Sequence, residues 1–246
     1  MCSFAPGRLG LGVRSVTFEQ WRYLLHDPVD VLALTLFVLV FPVYHAVYPR
    51  LMTLFPHHAA KVRMDEMRRS WIERLIRDSD VTNAAQQARN LTMANSLVAS
   101  SSLILMGFTA NILIRLPDAT GELPEIQAWR QNPDELATKL LLLVFVFGVG
   151  FGYAMTALRH LGHFTLAVGA DPAVIERHEG SAVDYLSALI NRASNRSTLA
   201  MRCMYSASPL FLWLIDSRLS LGLTVIWGAK FIFFQDFAHV LRQRGR

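Results

Sequence analysis

Apolar residues in this chain gather into runs long enough to cross a bilayer, and charge is concentrated in the segments between them. A transmembrane helix needs about 20 mostly apolar residues, since the hydrocarbon core is about 30 Å thick and a helix rises about 1.5 Å per residue. Runs at 29–48, 94–114 and 137–158 meet that length, and Pro42, which lacks a backbone donor, predicts a kink in the first. The apolar region after residue 198 is about twice the length of one span, and within LFLWLIDSRLSLGLTVIW it is interrupted by Asp216, Ser217 and Arg218. In mid-membrane an isolated Asp or Arg costs a few kcal/mol, whereas at a hairpin tip both meet headgroups and water. The pattern therefore predicts two further spans, at 198–215 and 219–238, and an all-α polytopic fold of five transmembrane helices, with four as the alternative.

Charge supplies an orientation. Arg50, Lys61, Arg63, Arg68, Arg69, Arg74, Arg77 and Arg89 lie between the first two spans, while Asp118, Glu122, Glu125, Asp134 and Glu135 lie between the second and third. Cytoplasmic loops carry the excess of Lys and Arg. With the first loop inside, five spans also place Arg242, Arg244 and Arg246 inside; four would leave them outside. The expected topology has the N-terminus out and the C-terminus cytoplasmic, with Arg8, Arg14 and Arg22 on the outer side against the rule. The organisation expected is an N-terminal segment (1–28), a single membrane domain (29–240) and a basic tail (241–246). Within the first loop, Val62, Met67, Trp71, Leu75 and Ile76 recur at helical spacing among charges, which predicts an amphipathic helix over 59–80 at the cytoplasmic surface. The segment 171–197 begins with Pro172 at a first helical position, breaks at Gly180 and resumes into the fourth span.

Composition agrees with a membrane location: 52% of the 246 residues are hydrophobic and 17% charged, below the roughly one-quarter usual for soluble domains, and the mean hydropathy is +0.30. The net charge of +5 comes without zinc-finger spacing, an RNP-type aromatic pattern or a basic helical stripe, so no nucleic-acid partner is expected. Membrane lipids, other membrane proteins or self-association are the expected partners, and the bacterial cytoplasmic membrane the expected location. Cys2 and Cys203 form no disulfide framework or metal motif. No apolar core of a cleaved signal peptide stands in the first 28 residues.

The stretches DVLALTLFVLVFPVYH, RRSWIERLIRDSDVTNAAQQARNLTMANSLVASS and LRHLGHFTLAVGADP resemble the bacterial and plant membrane family called domain of unknown function 599. The resemblance runs from about Asp30 to Val240. Its matching positions are Asp30, Tyr44, His45, Arg69, Trp71, Arg77, Asn90, Ser96, Ala99, Ser100, Arg159, Gly169 and Pro172. It implies a polytopic architecture and no biochemical activity. The chain departs from the pattern at His160 and His163, where the resemblance would place Gln and Tyr.

Ionisable groups inside spans are the natural functional candidates. Arg202 and Lys230 sit within the fourth and fifth spans, and Asp236 lies near the level of Arg202. With Asn95, Ser96 and Arg159 they are expected to form a cytoplasm-facing polar cluster that binds an anionic lipid headgroup or solute; the simpler reading is that the long side chains snorkel to the headgroups. His45, His160, His163 and His239 share one predicted depth and are candidate metal or haem ligands. No carboxylate or Cys accompanies them at ligand spacing, so interfacial, hydrogen-bonded histidines are the simpler reading and no cofactor is expected. The small and hydroxyl residues of the second span, with Gly148, Gly150 and Gly152 in the third, predict close packing of those two spans. There is no nucleophile elbow, HExxH or phosphate loop. An enzyme is not expected. A non-catalytic partner- or lipid-binding protein is the leading reading; a small-solute or ion transporter is the alternative, against which the absence of an internal repeat counts.

Overall fold

The structure, a computed structural model, describes residues 27–44, 46–47, 60–116 and 133–231. These residues form helices and short turns, with no strand among them. In chain order the helices are α1 (Pro28–Val38, continued by a π-helical turn, Leu39–Val43), α2 (Ala60–Asp78), α3 (Val81–Arg115), α4 (Pro133–Val168), α5 (Pro172–Glu179), α6 (Ala182–Trp213) and α7 (Ser217–Ala229).

Local chemistry sets most boundaries. Asp27, Asp171 and Asp216 accept from the backbone N–H two residues on, at 2.9, 2.9 and 2.6 Å, and cap α1, α5 and α7. Asp80 and Ser181 cap α3 and α6 from Asn83 N and Asp184 N. Gly180, at φ 86°, separates α5 from α6 in a conformation that only glycine adopts without strain. The kink expected at Pro42 takes the form of the π turn, which absorbs the missing donor by widening the helix.

α4 lies centrally, packed along α3 on one side and α6 on the other; α7 packs on α6 and α1, and α2 on α6. Two apolar cores stack along this bundle. The larger joins Phe37 and Phe41 of α1 to Leu140 and Phe147 of α4, Trp213 of α6 and Phe231. The second joins Ile72 and Leu75 of α2 to Phe164 of α4 and Leu186 and Ile190 of α6. Between them Ala99, Ala154 and Ala200 make a waist of small residues.

α3 and α4 are long and apolar enough to cross a membrane; Pro28–Val43 is apolar but shorter. Leu97, Ile104 and Ile114 on α3 are 69–74% exposed, an outward apolar surface that water does not favour. The interruption at Asp216 is real: α6 ends at Trp213, α7 starts at Ser217, and Asp216 and Arg218 are exposed at the turn. The expected segments 94–114, 137–158 and 198–215 prove to be parts of longer rods, because α3, α4 and α6 run on into the second core.

That core also changes the picture of α2. Its apolar face covers protein, with Ile72 and Leu75 buried and Trp71 stacked on Phe164 at 6.3 Å. Arg68 donates to Asn191 Oδ1 and Ser194 Oγ at 3.1 and 2.7 Å, and Arg69 pairs with Asp184. Met67, expected on the apolar face, is exposed instead.

Candidate functional site

A cavity of about 420 Å³ lies between α1, α4 and α6. Leu34, Phe37 and Phe41 line it from α1, Val146 and Val149 from α4, and Leu199 from α6. Arg202, 7% exposed, brings a charge to this apolar wall, beside Cys203 and Ser206. The Arg202 guanidinium lies over the Phe231 ring at 5.4 Å. Phe145 and Val38, exposed at the rim, also belong to the lining, so the cavity opens sideways.

The other expected site residues lie elsewhere on the bundle. Asn95 is buried and donates to Leu91 O at 2.8 Å, while its Oδ1 finds no hydrogen-bond partner among the described residues. Ser96 and Arg159 are exposed. Lys230, half-buried, lies over Trp227 at 4.2 Å and Tyr205 at 5.1 Å, a cation held by aromatic faces. None of these four lines the cavity, which leaves Arg202 as the one described residue of the expected site on its wall. Asp236, His45 and His239 lie outside the described residues. His160 is half-buried and His163 exposed; no group of three or more His, Cys, Asp or Glu suited to a metal occurs among the described residues.

The glycines of α4 divide their roles. A Cβ at Gly150 would stand 3.1 Å from Cys203 Cβ, so α4 and α6 approach closely there, whereas Gly148 faces Met106 of α3 and Gly152 meets nothing within 4 Å. Ser102 and Thr109 return their hydroxyls to the carbonyls of Val98 and Leu105. Ser102 also reaches Met204 Sδ at 3.2 Å, on α6.

A second charged group stands at the opposite end of the large core. The Lys139 side chain is 2% exposed. Its Nζ donates to Glu135 Oε1 at 2.6 Å and Trp213 O at 3.3 Å, with Asp30 Oδ1 at 3.7 Å. Asp30 in turn accepts from Trp213 Nε1 at 2.6 Å and from the Ser217 hydroxyl. One ammonium and two carboxylates thus tie α1, α4, α6 and α7 together. In the sequence Asp30 stands only as a position of the family resemblance, and Glu135 only among the loop charges. The signal present was Lys139 inside ATKLLLLVF, with Glu135 one turn before it.

No curated protein and no solved structure matches the chain. The family model for a protein of unknown function, DUF599, matches residues 32–239, a stretch that takes in α1 beyond its first turn, the cavity wall, Lys139 and the α6–α7 turn, and the chain belongs to that family.

Proposed function

We propose that this is a non-catalytic membrane protein that crosses the bilayer five times and holds an anionic amphiphile in the cavity between α1, α4 and α6. The observation that carries the reading is the placement of Arg202, a buried cation on the wall of an otherwise apolar, laterally open cavity of about 420 Å³. Such a wall suits an acyl chain, and the guanidinium suits an anionic head by charge-assisted hydrogen bonding. The apolar exterior of α3, the exposed turn at Asp216 and the loop charges support the five-span arrangement, with the C-terminus cytoplasmic.

Native mass spectrometry of the protein released from membranes in mild detergent tests this. The wild type is expected to carry lipid, and Val149→Trp or Leu199→Trp, each filling the cavity, to carry none. Equal retention in folded variants would overturn the reading. Transport of a small solute or ion is the second reading, favoured by the Asp30–Glu135–Lys139 group inside the bundle. Flux across liposomes holding the purified protein separates the two.

A further inference from the structure

The cavity continues into a basic surface along two of the three helices that wall it, α4 and α6. On α4, Leu142, Val146, Val149 and Tyr153 of the lining recur at spacings of three and four, and the same face reaches His160 two turns beyond Tyr153. On α6, Ser206, Cys203 and Leu199 repeat that pattern in the opposite direction, and the same face reaches Arg196 and Arg192. Arg196 lies over the Tyr153 ring at 5.6 Å, which joins the end of the cavity to the start of the basic surface. Arg192, Arg196 and Arg159 stand within electrostatic reach of the His160 ring. Arg159, Arg192 and Arg196 form no ion pair among the described residues, unlike Arg68 and Arg69 nearby on α2.

The proportions fit a lipid. From Leu142 to Tyr153 the α4 wall runs about 16 Å at about 1.5 Å per residue, comparable to a long acyl chain, and His160 lies about 10 Å further on. In the five-span arrangement this basic end meets the cytoplasmic headgroup layer, where acidic lipids attract clustered Lys and Arg. Three cations left without carboxylates repel one another unless an anion joins them. A phosphate accepts from several guanidiniums at once and relieves that repulsion.

We infer that the occupant is an acidic phospholipid of the cytoplasmic leaflet, with one acyl chain in the cavity and its phosphate held among Arg159, His160, Arg192 and Arg196. This rests on the lipid-binding reading above and adds the headgroup. Arg202, within the cavity, attracts the same anionic head from the side of its ester oxygens, and the exposed arginines hold the phosphate itself.

The test is competition, read by native mass spectrometry, between an acidic glycerophospholipid and a zwitterionic one with identical acyl chains. Wild type is expected to enrich the acidic lipid about tenfold or more. The Arg159→Gln/Arg192→Gln/Arg196→Gln variant should lose the enrichment yet keep its bound lipid, since the cavity is untouched. These side chains are exposed, so folding is not at stake; Arg192→Gln/Arg196→Gln serves as the milder version. Arg74→Gln/Arg177→Gln, exposed charges elsewhere, should leave enrichment unchanged. Enrichment that survives the triple change, or falls equally in the control, overturns the inference and leaves the lipid-binding reading standing. Glycerol phosphate displacing the lipid at equal concentration overturns it too, because the chain would then contribute nothing. A wild type that carries no lipid fails at the earlier step.

Discussion

The Lys139 ammonium is partnered on every side where water is scarce: a carboxylate one helical turn back and the carbonyl of Trp213 lie within hydrogen-bond reach, and a second carboxylate on α1 stands at ion-pair distance. Such a group is expensive to break and unremarkable to replace whole. Lys139→Met strands two carboxylates and is expected to lower stability by about 3–5 kcal/mol, while adding Asp30→Asn and Glu135→Leu should restore much of it. Trp213→Phe, which removes the indole donor to Asp30 and part of the ring that Lys139 lies over, is expected to cost about 1–3 kcal/mol. Thermal unfolding in detergent, followed by circular dichroism, orders these variants; a Lys139→Met protein as stable as wild type would mean the ammonium contributes nothing. Arg202 was legible in the sequence because it breaks an apolar run. The Lys139 group was not, because Asp30 and Lys139 are joined by tertiary packing that no local spacing records, and Glu135 sits at the margin where a span shades into a loop.

Helix ends and helix lengths differed in how far they could be read. Caps at Asp171, Ser181 and Asp216 are local chemistry, and so is the break at Gly180. Where α3, α4 and α6 stop is not, since their polar halves, unremarkable alone, are held straight by the shared core of Phe164, Leu186 and Ile190 with Ile72 of α2. The same distinction applies to glycine. The sequence marked Gly148, Gly150 and Gly152 alike as contact positions, but only packing tells which faces a neighbour. Gly150→Val should push α4 from α6 against Cys203 and cost about 1–3 kcal/mol, with Gly152→Val near neutral by comparison. The same melting measurement decides it, and equal losses at both positions would remove the close approach from the account.

At the scale of the whole molecule, the five-span topology places the α6–α7 turn outside and the C-terminal tail inside. In a Cys2→Ser/Cys203→Ala background, Arg218→Cys should react with an impermeant thiol reagent applied to intact cells, and Gly245→Cys only after the cells are opened. Reaction of both in intact cells would leave the tail outside and return the count to four. The family membership and helical class were readable early because hydropathy runs and ordered motifs are properties of the chain itself; the cavity was not, being a space between three helices. The Lys139 group has a consequence for how the protein is made. In this topology Asp30 enters the bilayer with the first helix, Lys139 with the third, and Trp213 and Ser217 with the last hairpin, so the acceptor waits for its donors until synthesis is nearly complete. A nascent chain halted before Trp213 presents Asp30 without its indole and hydroxyl donors, and only the finished chain supplies both.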